Sequence, residues 1–333
     1  MTTREILAAL REAGASVTVE DGRLRCTAPQ GAITPALRDA ITANRDELIR
    51  VISLSSALDP LPPGPAPGVK FRLSPPQQRI WFLDQWAGAQ KAYVIPAAVY
   101  LKGPLEVDAL GRAVAAVTAR HDALRTALGT VDDVPVQWVV PDLSVVMEVE
   151  SLESLPAERR HEAAERRAAE IAGGHFDLAS PPLFRTGLLR LAEDEHLWYL
   201  AIHHVIADGS SLRLLLQEVL EVYGRLERGD PQPSPAGVVQ HGTFVLWQSA
   251  RVESGACDAS LDYWKRTLQD VEPLDLVADR PRTATRGFEG SAEFFALPAD
   301  VTERLRQLAR ANASSLYAVL FAAFQTLLSR ITS

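Results

Sequence analysis

The run His203-His204-Val205-Ile206-Ala207-Asp208-Gly209 gathers two imidazoles, a carboxylate and a glycine into one short stretch. Imidazole gains and loses a proton near neutral pH, and a positioned histidine contributes roughly a hundred- to ten-thousand-fold to a rate. Such a run points first to a transferase. The Asp208 carboxylate, across a turn from His204, could orient a ring or pair with an arginine that locks the loop. Gly209 permits backbone conformations that a larger residue resists.

The elements that must position this run are legible on either side of it. Leu197-Trp198-Tyr199-Leu200-Ala201-Ile202 is apolar and aromatic and predicts a strand. Ser210-Ser211 followed by Leu212, Leu214, Leu215, Leu216 and Val219 predicts an amphipathic helix capped by the serines. Neighbouring strand residues point to opposite faces, so one of His203 and His204 should be structural and the other chemical. The same alternation argues against a metal, because zinc needs about three or four convergent ligands. No other Cys or His pair has ligand spacing, so no metal site is expected. The G-x-S-x-G, G-x-x-x-x-G-K and dinucleotide fingerprints are all missing, which leaves little support for a serine nucleophile, a nucleotidase or a dehydrogenase.

The histidine run resembles the H-H-x-x-x-D-G signature of nonribosomal peptide synthetase condensation domains, which share the chloramphenicol acetyltransferase-like fold. Further stretches resemble that family in the same order. Leu73-Ser74-Pro75-Pro76-Gln77-Gln78-Arg79-Ile80-Trp81-Phe82-Leu83 is similar to its opening motif, and Arg120-His121-Asp122-Ala123-Leu124-Arg125-Thr126 to its second. His241-Gly242-Thr243-Phe244-Val245-Leu246-Trp247-Gln248 is a degraded form of a motif that usually reads Tyr-x-Asp-Phe-Ala-x-Trp, with the Tyr and Asp replaced. Asp262-Tyr263-Trp264 and Asp279-Arg280-Pro281-Arg282 resemble the stretch leading into the second lobe. The resemblance runs from about Phe71 to the last residue.

That resemblance implies amide-bond formation between two carrier-bound substrates, with His204 facing a tunnel where the acceptor amine meets the donor thioester. His204 then serves either as general base or as the group that aligns the amine and stabilises the charged intermediate. His203, Asp208 and Gly209 become supporting residues. Asp208 is expected to pair with an arginine of the Arg120 to Arg125 segment, with Arg125 favoured over Arg120. The residues alone allow a plainer reading of these arginines, since Leu110, Ala113, Val114 and Val117 recur at helical spacing before them and arginine suits a helix C-terminus. No cofactor is expected to bind directly; phosphopantetheine arms arrive on carrier-protein partners. The intact His203 disfavours a heterocyclisation domain, in which Asp replaces the first histidine. The second motif fits the class joining an L donor to an L acceptor, and a D-configured donor stays open. Ser210 stands where many members carry Trp.

The first fifty or so residues have a different pattern. Ile6, Leu7 and Leu10 form one helical face, and Gly14 is placed to end that helix. Val17 and Val19 alternate with Thr18 and Glu20, Asp21-Gly22 is a strong turn signal, and Leu24 and Cys26 alternate with Arg23 and Arg25. A two-residue turn sets Val19 opposite Leu24 and Val17 opposite Cys26, leaving Thr18, Glu20, Arg23 and Arg25 outward. Thr34-Pro35 starts a helix bearing Leu37 and Ile41, and Asn44 caps another bearing Leu48, Ile49 and Ile52. This order, with Gly14, the hairpin and the Ala28-Pro29-Gln30-Gly31 turn, resembles the TubC-type N-terminal docking domain of megasynthases. It implies capture of the C-terminal segment of an upstream peptide or polyketide synthase subunit along the hairpin, through Thr18, Glu20, Arg23 and Arg25, the arginines selecting an acidic partner. A small helical cap that binds nothing is the alternative.

The expected fold is therefore α/β (α+β): a helix-hairpin-helix-helix docking domain at 1–57, a proline-rich linker at 58–70, a complete condensation N-lobe at 71–245 and a truncated C-lobe at 246–333. Condensation domains continue well beyond such a boundary. The helix predicted over 315–330 should thus lack partners and leave apolar surface exposed. The parent chain is expected to carry a downstream adenylation domain. A docking unit at the start disfavours an epimerisation domain, which normally follows a carrier in its own chain. The 157–172 segment, rich in Ala, Glu and Arg, predicts a surface helix.

Composition is that of an ordinary globular chain, with 333 residues, 47% of them hydrophobic. A net charge of -8 and the lack of a basic tract give no reason to expect nucleic acid. No long apolar span or signal-peptide start appears, so no membrane partner is expected and the cytoplasm is the default location. Cys26 and Cys257 are expected as buried thiols. Two other function classes stay open: a coenzyme A-dependent acyltransferase of the same fold, and an inactive docking scaffold.

Overall fold

The computed structural model describes residues 3–20, 23–29, 32–56, 61–85, 90–230, 238–274, 276 and 293–332. The Asp21-Gly22 turn, Gln30-Gly31 and the Asp279-Arg280-Pro281-Arg282 stretch lie outside the described residues. The chain divides into two compact units between Pro62 and Pro63.

The first unit contains α1 (Thr3–Glu12), a hairpin of β1 (Ser16–Glu20) and β2 (Arg23–Thr27), α2 (Pro35–Ala43) and α3 (Arg45–Ser56). Gly14 ends α1 in the left-handed region at φ +64, which lets the Ala15 N–H donate back to the Leu10 carbonyl. The hairpin register is the one the alternation demands, Val19 opposite Leu24 and Val17 opposite Cys26. Thr34 caps α2 by accepting from the Leu37 N–H at 3.2 Å. Ile6, Leu10, Leu37, Leu48 and Ile52 form the buried centre. Cys26, expected as a buried thiol, is exposed instead, and Cys257 is half-buried. Two strands offer too little sheet to cover every inward position.

The second unit opens with residues 63–70, the later part of the predicted linker. They do not run free, because Gly68 N–H donates to the Val139 carbonyl at 2.8 Å. Then come β3 (Phe71–Arg72), α4 (Pro75–Asp84), β4 (Val94–Lys102), α5 (Val107–Arg120), β5 (Thr126–Val131), β6 (Val134–Val139) and β7 (Glu148–Ser151). They are followed by α6 (Ala157–Ala172), β8 (Phe184–Ala192), β9 (Glu195–His203), α7 (Gly209–Arg228), α8 (His241–Glu253), α9 (Asp258–Thr267), α10 (Ala299–Ala311) and α11 (Leu316–Thr332). The main sheet has the order β4-β9-β8-β7, antiparallel except for the parallel β7–β8 pair; a smaller sheet has the order β3-β6-β5.

Period-two alternation in β9 explains why both faces of the main sheet are covered. Trp198, Leu200 and Ile202 meet Leu110, Val114 and Val117 of α5 and Val219 of α7 on one face. Leu197 and Tyr199 meet Ala163 and Ala164 of α6 on the other. Gly187 is required where it stands, since a Cβ there would occupy the space of the Tyr199 phenol. The buried Trp198 indole N–H donates to the Thr186 hydroxyl at 2.9 Å, so the ring enters the core without an orphaned donor.

The helix predicted over 315–330 forms as α11; no residue of it is buried and Tyr317 is 74% exposed. Its chief neighbour is α10, which covers only one side. The apolar surface expected there is present in Tyr317, Phe321, Phe324 and Leu327. Among the described residues no single helix is long and apolar enough to cross a membrane.

Truncating the wholly buried Leu48 to Ala should cost the first unit about 2 to 5 kcal/mol, read as a lowered denaturation midpoint by circular dichroism. An unchanged midpoint would contradict the core described here.

Candidate active site

The site forms where β9 stops. The last ladder pair of β4 and β9 is Val94 with His203, and one residue later the His204 N–H donates to the Tyr93 carbonyl at 2.7 Å. The strand's alternation is thus still in force at both histidines. His203 is turned inward and 1% exposed, while His204 is exposed.

The inward ring is fully specified. His203 Nδ1 accepts from the Val205 N–H at 3.2 Å, which leaves the proton of the neutral ring on Nε2. That nitrogen lies 3.4 Å from Asp84 Oδ1, close enough for ion pairing but without the alignment of a hydrogen bond, and the edge of Phe176 packs against the ring. Burial holds His203 below the usual imidazole range, outweighing the opposing pull of the Asp84 carboxylate. His203 is therefore neutral at pH 7 and serves as the pivot of the turn. The outward ring of His204 makes no hydrogen bond among the described residues and borders a cavity of about 360 Å³. It is free to meet a substrate.

Three elements wall this cavity. Ser74, Gln77 and Ile80 come from the start of α4, Asp208 and Ser211 from the start of α7, and His241, Phe244 and Gln248 from α8. The last three recur at helical spacing, so one face of α8 is turned to the site. Burial lowers the pKa of His241 and favours its neutral ring. Sequence reasoning saw this segment only as a degraded motif; its helical spacing was the signal that could have assigned His241 and Gln248 to the wall.

Asp208 and Arg125 do not pair, contrary to expectation. The Asp208 carboxylate caps α7, with Oδ1 accepting from both the N–H and the hydroxyl of Ser211 at 2.7 Å. These bonds hold its pKa below the usual carboxylate range. Ser210 and Ser211, expected as caps, instead lie within the first turn of the helix that Asp208 caps. Arg125 is nearly buried and spends its guanidinium on closer acceptors: Nη1 donates to the Val140 and Pro141 carbonyls at 2.9 Å each, and Nη2 to Asp122 Oδ1 at 2.7 Å. Arg120 reaches α7 elsewhere, its Nε 3.9 Å from Glu218 Oε2, which His121 Nε2 contacts at 2.7 Å. The second motif is thus joined to α7 through Glu218, well along the helix, and neither arginine meets Asp208. Gly209 is also simpler than expected: its φ is not left-handed and an added Cβ would meet nothing within 4 Å. In the first unit, Thr18, Arg23 and Arg25 are exposed on the hairpin as expected, while the Glu20 side chain lies outside the description.

Among the described residues no group of three or more His, Cys, Asp or Glu could hold a metal ion. The donors present suit proton handling and hydrogen bonding to an organic substrate.

Arg125→Ala strands one carboxylate and two carbonyls and should destabilise the fold by about 2 to 4 kcal/mol; Asp208→Ala removes a cap worth about 0.5 to 2. Because the two do not touch, the double substitution should be additive to within about 0.5 kcal/mol in chemical denaturation. A coupling well above that would restore the direct pair. The depressed His203 pKa has its own consequence. The unfolded ring binds a proton more readily than the folded one, so stability should fall as pH drops through about 6.5 and level off below the folded pKa. His241 acts in the same direction. In His203→Gln the slope measured by denaturation at several pH values should be shallower; an equal slope would assign it to other groups.

The Condensation domain family model matches residues 70–333, and the TubC N-terminal docking domain model matches residues 4–53. Chondramide synthase cmdD of Chondromyces crocatus is 36% identical over 270 residues, covering 81% of this chain and 7% of that protein. Tyrocidine synthase 3 of Brevibacillus parabrevis is 34% identical over 288 residues, covering 86% of this chain and 4% of that protein. The chain therefore spans a small fraction of the curated relatives it matches. Among solved structures, the cyclization-docking bidomain of the nonribosomal peptide synthetase EpoB from Sorangium cellulosum aligns over 100% of this chain and 66% of its own, with 24% identity and a TM-score of 0.65. The first condensation domain of the calcium-dependent antibiotic synthetase, solved with a substrate analogue, aligns over 80% of this chain and 62% of its own, with 24% identity and a TM-score of 0.69. At these identities the two structures establish the chloramphenicol acetyltransferase-like fold. The ordered motifs, the histidine at the strand end and the family match over 70–333 together place this chain in the condensation domain family, preceded by a TubC-type docking segment.

Proposed function

We propose that this chain is the acyl-transferring part of a nonribosomal peptide synthetase that joins a carrier-bound acyl or peptidyl donor to the amine of a carrier-bound aminoacyl acceptor. The observation that carries this reading is the outward His204 ring, unpaired beside a cavity of about 360 Å³ while its neighbour is locked in the core. The amine lone pair attacks the thioester carbonyl, a C–N bond forms, the C–S bond breaks, and the released thiolate takes up a proton. His204 stands where the amine must be aligned and its proton handled. The substrates arrive on phosphopantetheine arms. Apolar Ile80 and Phe244 beside hydrogen-bonding Ser74 and Gln248 suit a thin chain that carries amides.

In this reading residues 1–57 receive the C-terminal segment of an upstream subunit, 58–70 connect, 71–245 form the N-lobe and 246–333 begin the C-lobe. The hairpin supports the first role through exposed Thr18, Arg23 and Arg25, which offer an edge and positive charge to an acidic peptide. A downstream adenylation domain supplies the acceptor, the Arg120-to-Thr126 motif together with the intact histidine run supports an L-donor, L-acceptor class, and the cytoplasm is the site of action.

The test loads donor and acceptor carriers on the intact synthetase and follows dipeptidyl-carrier formation by intact-protein mass spectrometry. His204→Ala should lower the rate by about a hundred- to ten-thousand-fold with folding and docking preserved. Undiminished product would remove His204 from the chemistry, and product from coenzyme A donors without carriers would favour the free acyltransferase.

A further inference from the structure

The catalytic histidine is only as well placed as the peptide that carries it, and that peptide leaves a strand for a turn. On its N-terminal side it is fastened by the Tyr93 carbonyl, which accepts from the His204 N–H. On its C-terminal side the Val205 N–H is taken by His203 Nδ1, and the Val205 carbonyl accepts from Gln77 Nε2 at 3.2 Å. Gln77 is 4% exposed and every hydrogen-bonding valence of its amide is used. Its Oε1 accepts from the Ser74 N–H at 3.0 Å and from Gln137 Nε2 at 2.8 Å, while Nε2 also donates to Gln137 Oε1 at 2.9 Å. The partner amide is itself wholly buried and donates to the Arg72 carbonyl at 3.0 Å. A donor is required at Val205 and an acceptor at Ser74, so the amide has one permitted orientation.

We infer that Gln77 is a positioning residue for His204, holding the turn that bears the ring through the Val205 carbonyl and tying it to the start of α4 and to β6. The inference rests on the transfer chemistry proposed above. It also assigns a task to the Leu73-to-Leu83 motif: the capping box of Ser74 and Gln77 that starts α4 is the brace of the catalytic turn. Gln137 is the control. It buries a comparable amide in the same network but does not reach Val205.

Three variants of the intact synthetase test this with carrier-loaded substrates: Gln77→Leu, Gln137→Leu and Gln77→Glu. Gln77→Leu should lower kcat by about a hundredfold while KM for the acceptor carrier stays within about twofold, as expected of a misplaced reacting group rather than lost binding. Gln137→Leu, at a similar loss of thermal midpoint, should lower kcat by less than about threefold. In Gln77→Glu the neutral acid can donate to the Val205 carbonyl and the carboxylate cannot, so activity relative to wild type should fall as pH rises while circular dichroism is unchanged. If Gln77→Leu does not fold, the Glu variant carries the test. Losses of kcat that track the thermal midpoint equally in both Leu variants, or a flat activity ratio across pH, would overturn the inference. Hydrogen exchange across 203–209 separates its failure from failure of the transfer reading: faster exchange in Gln77→Leu than in Gln137→Leu upholds the brace even if no peptide product is formed, and equal exchange sinks it whatever the activity.

Discussion

The pairing of β4 with the last residues of β9 is the constraint on which the site depends. Because the ladder holds to Val94 and His203 and the next N–H still reaches Tyr93, two adjacent histidines are forced to opposite faces of one strand. One imidazole is buried in the core and the other is exposed beside the cavity. A slip of one residue would exchange them, burying the His204 ring and exposing the His203 ring whose Nδ1 holds the Val205 N–H. Burial on both faces of the main sheet prevents that slip, since it would also turn Trp198, Leu200 and Ile202 away from α5 and α7.

Around this point the polar groups are arranged to hold main chain more than to reach substrate. His203, Gln77 and Tyr93 bind backbone atoms of residues 204 and 205, Asp208 binds the first turn of α7, and Arg125 binds carbonyls just beyond β6. The buried side chains of His203, Gln77 and Arg125 each meet at least one backbone group. The outcome is a frame of hydrogen bonds to main chain with the unpaired His204 ring at its edge, which suits the alignment that the proposed transfer requires. Elsewhere in the second unit, α11 carries the exposed aromatic side chains Tyr317, Phe321 and Phe324.

Much of this was legible in the chain. The apolar and aromatic run 197–202, the helical spacing of Leu110, Ala113, Val114 and Val117, and the alternation of Val17, Val19, Leu24 and Cys26 are each local signals, and each element formed as expected. Gly14 and Thr34 were readable for the same reason, because capping is decided by residues a few positions apart. The pairings were not. Arg125 was expected to meet Asp208, yet it lies against Val140 and Pro141, while Asp208 takes the Ser211 N–H. Charge complementarity in a sequence names possible partners but not the distances between them, and a nearer carbonyl or amide satisfies a polar group as well as a distant ion does.

By itself, then, the sequence determined which segments are strands and helices, that the two histidines of the pair face opposite ways, and the order of motifs that places the chain in its family. Only the tertiary structure decided that α8 brings His241 and Gln248 to the cavity of His204, that Gln77 reaches the Val205 carbonyl across 128 residues, and that Cys26 stays exposed. The physical reason is range. Periodicity and caps are properties of neighbours along the chain, whereas cavity walls and long hydrogen bonds exist only after separate elements have packed and their distances have been set.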